Sequence, residues 1–196
     1  MKILPILILL FCHTSYAALV DRDNGMIYDS NLNITWLSDA NYSQTSGYDS
    51  DGKMNHDEAF KWASGLTFGG SENWRLPSTN ELSPQTGYNL ITADLGNLFY
   101  VTSGSNSGQA MNPLAEFYNV QQTAYWLNEE GTLGLAWVFH TQNGLQTLRD
   151  SSTLRYAWAV HEGDIGASDL AGVPTPSASL LFGSSLVGFL VCRRKH

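Results

Sequence analysis

Cysteine is nearly missing from this 196-residue chain: there are two, Cys12 and Cys192, each in an apolar stretch at one end. The long middle therefore has no disulfide, no thiolate nucleophile and no cysteine-ligated metal. Cations are scarce as well. Lys and Arg number ten against eighteen Asp and Glu, and four of the ten lie in the terminal stretches, which leaves residues 18–173 with a net charge near −12. Such a surface repels nucleic acid and anionic lipid, because phosphate binding depends on clustered cations. It suits neutral sugars, metal cations or basic partners. Internal repeats and low-complexity tracts are absent. No HExxH or other close histidine pair marks a zinc site, and GSNSG places Asn106 where a nucleophile elbow needs serine. A carboxylate pair for glycoside hydrolysis could sit among eighteen acids, but nothing marks one.

What is present, first, is a greasy segment at each end. Residues 1–17 carry one early cation, Lys2, an apolar run over 3–11, and Ser15-Tyr16-Ala17 with small residues at the two positions a signal peptidase reads. An apolar run of about nine residues is far short of the roughly 20 a bilayer needs, so this is read as a cleaved secretory signal. Residues 177–192 form an almost unbroken apolar segment, preceded by Pro174 and Pro176 and followed by Arg193, Arg194, Lys195 and His196. As a helix it would reach roughly 24 Å, nearly enough to cross a ~30 Å hydrocarbon layer. The cations would hold its end on the cytoplasmic face.

VPTPSASLLFGSSLVGFLVCRRKH resembles a PEP-CTERM sorting tail, with Thr175 where Glu is usual. An LPxTG motif is absent, and a GPI signal ends in apolar residues rather than cations. The resemblance implies a Gram-negative, polysaccharide-producing bacterium, transient anchoring in the inner membrane, and cleavage near the Pro-x-Pro by an exosortase-type enzyme. Pro174, Pro176, Arg193, Arg194 and Lys195 are then the sorting residues. The expected organisation is a signal peptide over 1–17, one domain over 18–166, a linker with the Pro-x-Pro over 167–176, and a sorting helix with a basic tail over 177–196. The expected destination is the cell surface or the exterior.

Between the ends, GMIYDSNLNITWL reads as a hairpin, with runs over 26–28 and 34–37 around a polar turn. NHDEAFKWASGL predicts a helix: Asn55 stands as N-cap, Glu58 three residues on completes a capping box, and Ala59, Trp62, Ala63 and Leu66 form an apolar stripe. In NWRLPSTNEL, Pro77 makes 74–76 extended, and Ser78 with Glu81 predicts a second, short helix before Pro84. Helical turns are expected near 90–100 and 114–118. The last third is β: TAYWL, LGLAWVFH, an Asn143-Gly144 turn, LQTL and RYAWAVHEG, with Asn-Gly as the strongest short hairpin signal.

The succession NGMIYD, ITWL, MNHDEAFKWASGL, NWRLPSTNEL, AYWLN, AWVFHTQNGLQ and YAWAVHEGD resembles the Lcl C-terminal domain family over about residues 20–165, with WRLP and YAW-x-V its most specific pieces. The family is similar to C-type-lectin-like and formylglycine-generating-enzyme folds. The resemblance implies an α+β domain: a compact C-type-lectin-like unit, with helices flanking a twisted antiparallel sheet and long loops at one edge. It also implies a role in binding glycans or extracellular polymers, with no binding residues to carry over. Formylglycine-generating chemistry needs cysteines that residues 18–173 lack, so no catalytic residue is expected.

Four sets of side chains are weighed as sites. Asp49, Asp51 and Glu58 in GYDSDGKMNHDE fall on ligand positions of an EF-hand-like Ca²⁺ loop, with Gly52 and Met54 also in register. Gly47 stands where the first carboxylate belongs, and Glu58 has a competing task at the Asn55 cap, so an acidic solvated turn is the rival. Trp36, Trp126, Trp137 and Trp158 could stack on sugar rings, although alternating strands place tryptophans in cores at least as readily. His140 and His161 lie in strands that could be neighbours. Arg75 is expected to pin a loop to a buried carboxylate. The function expected is an exported, non-enzymatic domain that binds extracellular polysaccharide or matrix components. Two alternatives stay open: a structural matrix protein acting through cations or protein partners, and a hydrolase with an unmarked carboxylate pair.

Overall fold

A computed structural model describes residues 19–166; the leader and the tail fall outside the described residues. Near the N-terminus are strands β1 (Leu19–Asp21), β2 (Met26–Asp29) and β3 (Ile34–Leu37), then a single turn α1 (Tyr42–Thr45), β4 (Lys53–Met54) and the main helix α2 (His56–Ser64). A long irregular stretch follows, interrupted by α3 (Asp94–Asn97) and a wide π turn at Leu98–Thr102. The chain finishes with β5 (Ala124–Glu130), β6 (Leu135–His140), β7 (Leu145–Asp150), β8 (Arg155–Tyr156) and β9 (Val160–Glu162).

The strands make two sheets rather than the single one expected. The first has the order β1-β2-β3-β9 and the second β4-β8-β5-β6-β7. All pairings are antiparallel except β5 with β8, which run parallel through Tyr125 and Tyr156. The expected N-terminal hairpin is present, with Met26 opposite Leu37 and Ile27 opposite Trp36. So is the hairpin β6–β7, where Gly144 closes the turn at φ +79°. A side chain on Gly144 would collide with the Tyr100 ring, whose hydroxyl donates to the Gly144 carbonyl at 2.8 Å.

RYAWAVHEG, which reads as one strand, is divided between the sheets. Arg155 and Tyr156 join the second, Val160 to Glu162 join the first, and the buried Ala157, Trp158 and Ala159 carry the chain across. Trp158 makes this crossing a core feature. Its ring packs on Trp36 and Phe117, both at 5.0 Å between centroids, and its indole N–H donates to the Leu37 carbonyl at 2.7 Å. The hydrogen bond matters because a buried indole without a partner costs about 1–3 kcal/mol.

The sequence signals for α2 hold. The Asn55 side chain accepts from the Glu58 amide at 3.0 Å, and the Glu58 carboxylate accepts from the Asn55 amide at 3.1 Å. Ala59, Trp62 and Ala63 are buried beneath it, while Leu66 lies just past its end. The second capping pattern fails. Ser78 starts no helix because its backbone N–H is taken by Asp94 at 2.8 Å, its hydroxyl by Glu129, and the Thr79 amide by the other Glu129 oxygen at 3.0 Å. Carboxylates from distant segments thus hold the amides that a helix would have left for solvent. Residues 114–118 likewise form a turn rather than a helix.

Arg75 does what its position suggested. Its backbone pairs with Val160, extending the first sheet, and its guanidinium bridges the buried Asp94 at 2.8 Å and the exposed Glu162. Burial works against the charge, but the two carboxylates outweigh it and raise the Arg75 pKa. Asp94 also accepts from Asn80 at 2.7 Å, so one carboxylate ties the strand at Arg75 to the loop that follows.

Candidate functional site

The acidic loop at 49–58 is built as a turn. Asp49 accepts from the amides of Asp51 at 2.9 Å and Gly52 at 2.7 Å. Asp51 pairs with Lys53 at 3.1 Å, whose ammonium holds the Asp51 carboxyl below the usual range. Glu58 serves the α2 cap. Gly52, at φ +77°, lies so close to Asn41 that a side chain there would strike the amide. The three candidate Ca²⁺ ligands thus have separate structural tasks, and among the described residues no three His, Cys, Asp or Glu side chains are grouped to hold a metal ion.

The tryptophans are all interior. Trp36, Trp126 and Trp158 have no exposed surface, and Trp137, the most exposed of the six, retains 6%. None can stack on a sugar without unfolding its surroundings. His140 and His161 also part company: His140 lies in β6 of the second sheet and His161 in β9 of the first, where its ring rests against Trp74 at 5.6 Å. His56, in α2, bonds the Leu127 carbonyl at 2.9 Å and is core.

The most exposed aromatic rings among the described residues are Tyr48 at 59% and Tyr118 at 54%, ahead of Phe60 and Tyr88. Tyr118 stands in the segment 111–122, which has little regular periodicity beyond the helical turn expected at 114–118. Tertiary contacts shape it. The Tyr118 amide donates to the Ser38 carbonyl at 2.9 Å, and the Ala40 amide donates back to Tyr118 at 3.0 Å, a short parallel bridge to the end of β3. Met111 is held by the Thr141 carbonyl at 2.8 Å. Phe117 drives inward against Trp36 and Trp158, and Asn119 takes the left-handed conformation at φ +55°.

Beneath this segment lies a pocket of about 200 Å³. Its walls include Met111, Asn112, Leu114, Tyr118, Asn119 and Gln122, and its lining contains no charged side chain. The amides are positioned: Asn119 donates to the buried Asp39 at 3.0 Å, Asn112 to the Ser103 carbonyl at 2.9 Å, and Gln122 to the Met111 carbonyl at 3.3 Å. The Tyr125 hydroxyl, accepting from the Gln121 amide at 2.7 Å, braces the segment from below, and burial raises its pKa. An apolar floor, an exposed phenol ring and fixed amides can hold a neutral, hydroxyl-rich ligand. A second hollow of about 170 Å³ lies beside Tyr48, Lys61 and Leu66.

No curated protein matches the chain, and no solved structure does. A family model, the Lcl C-terminal domain, matches residues 25–161, from the turn before β2 to the middle of β9. That stretch takes in α2, the WRLP bridge to Val160, the hairpin β6–β7 and the Trp158 crossing, so the chain belongs to the Lcl C-terminal domain family.

Proposed function

We propose that the domain is an exported, non-enzymatic module, C-type-lectin-like in fold, that binds extracellular polysaccharide through the 111–122 pocket. The observation that carries this is the pocket's lining: an exposed Tyr118, three side-chain amides and apolar residues, with no charge among them. Sugars offer apolar ring faces to aromatics and hydroxyls to amides, and a neutral lining avoids desolvating an ion for which the ligand has no counter-charge. The acidity of the rest of the surface turns polyanions away without disfavouring a neutral polymer.

Export and anchoring complete the proposal. With a signal at 1–17 and a processed tail at 177–196, the domain would be released at or beyond the outer membrane, where its polymer lies. The test is binding of the full chain to an array of neutral glycans and to the polymer of the producing cell. Wild type should be retained, and Tyr118→Ala should bind about tenfold more weakly, the loss of roughly one stacking contact. Equal retention of the two proteins, or no retention of either, overturns it. Calcium-dependent self-association without sugar binding would favour a structural matrix role instead.

A further inference from the structure

We infer that the second sheet carries an additional binding site, for the carboxylate of an acidic saccharide, formed by Arg149, Arg155 and His140. Six Lys and Arg lie among the described residues. Four are committed to carboxylates: Arg22 to Asp164 at 2.6 Å, Lys53 to Asp51 at 3.1 Å, Lys61 to Asp57 at 2.6 Å, and Arg75 to Asp94 and Glu162. Arg149 and Arg155 make no ion pair with a described residue, although the domain is rich in acids.

Register brings the two onto one face. Ala124 of β5 pairs with His140 of β6, which pairs with Leu145 of β7, so these three point to the same side. Alternation puts Thr147 and Arg149 on that side too. Tyr125 pairs with Tyr156, which sends Arg155 to the face of Ala124, on the other flank of His140. Arg149 then folds back toward His140, donating to Thr147 at 3.4 Å and to the Leu148 carbonyl at 2.8 Å.

Polar atoms at this site lack partners. His140 Nε2 and Arg155 Nε are both buried with no hydrogen bond among the described residues. The rest of the Arg155 guanidinium bonds no described side chain or carbonyl either. A buried polar atom without a partner is costly, and here two of them accompany two arginines that have no carboxylate partner among the described residues. Burial, then Arg149, then Arg155 push His140 down to about 4, while burial and Arg149 lower Arg155. Glu130 shares a row with Ala136 and Arg149 but is exposed and forms no ion pair with a described residue. Asp150 is engaged by Ser152 at 2.7 Å.

An incoming carboxylate would pair with the two guanidinium groups and favour the protonated form of His140, whose Nε2 could then donate to it. Guanidinium forks match a planar carboxylate in two-point contact. A singly charged acid, spaced along a polymer, also meets far less repulsion from the net negative surface than a densely charged polyanion would. The site is separate from the neutral pocket and does not depend on it.

The experiment is titration of the full chain with glucuronate at constant ionic strength, followed by calorimetry and by the imidazole resonances. Glucose, acetate and sulfate serve as comparisons. Saturable glucuronate binding is expected, with a rise in the His140 pKa on binding and about tenfold or greater weakening in Arg149→Gln and Arg155→Gln. Because the Arg155 side chain has no partner among the described residues, Arg155→Gln should keep or raise the melting temperature, which a purely structural arginine would lower. If either glutamine variant fails to fold, Arg149→Lys, which keeps charge and loses the fork, should still weaken binding. Acetate binding as well as glucuronate supports the carboxylate site with a free acid as its source. No saturable binding, equal binding by the variants, displacement by glucose, or sulfate binding as tightly as glucuronate overturns the proposal.

Discussion

Trp158 and Tyr118 illustrate how differently two aromatic residues of this chain can be used. Trp158 has no exposed surface and bonds the Leu37 carbonyl, so Trp158→Ala should cost about 3–5 kcal/mol in urea unfolding, from lost packing and an orphaned carbonyl. Tyr118 is half exposed, so Tyr118→Ala should leave stability within about 0.5 kcal/mol while polymer retention falls. His140 supplies a pH signature. Its folded pKa, about 4, lies below the ordinary 6.5 because burial and the two arginines disfavour the imidazolium. Above pH 6.5 both folded and unfolded chains hold it neutral. As pH falls from 6.5 to 4 the unfolded chain takes the proton first and stability drops; below 4 the loss is complete. His140→Gln should remove on the order of 2 kcal/mol of acid sensitivity across that window, discounted for the ring's partial exposure, when its denaturation midpoints are compared with wild type.

Helix α2 and the loop after Arg75 owe their order to different forces. The helix is locally encoded, and Asn55→Ala should cost about 1 kcal/mol through loss of the capping box, read as an earlier thermal midpoint. The loop has no local code and hangs on Asp94, which gathers Arg75, Ser78 and Asn80. Asp94→Ala leaves the half-buried Arg75 with the exposed Glu162 as its remaining carboxylate beside the Leu76 carbonyl, and should cost about 3–5 kcal/mol. Hydrogen exchange would show the loss concentrated at residues 75–94 if the carboxylate is the organising group. The hairpin β6–β7, with Asn-Gly at its turn, should keep its protection in both variants.

For the molecule as a whole, composition argues about destination and topology about shape. The export proposed above makes one prediction: mass spectrometry of the protein from its native cells should find residues 1–17 removed and the chain ending near Pro174 or Pro176. Recovery of the protein with residues 177–196 attached would remove the exosortase step. Among the described residues no helix is long and apolar enough to cross a membrane.

Local patterns were enough for the β2–β3 hairpin, α2 with its cap, the hairpin β6–β7 and the role of Arg75, because each depends on neighbours within a few residues or on one dominant preference. The division of RYAWAVHEG between two sheets, the failure of the Ser78 helix, the burial of all six tryptophans and the 111–122 pocket depend on partners distant in sequence, such as Leu37 for Trp158, Glu129 for Ser78 and Ser38 for Tyr118. Ion pairing is of the same kind. Which cations are neutralised and which two stand together without a carboxylate follows from strand register, and register becomes definite only when the second sheet closes over its own hydrogen bonds.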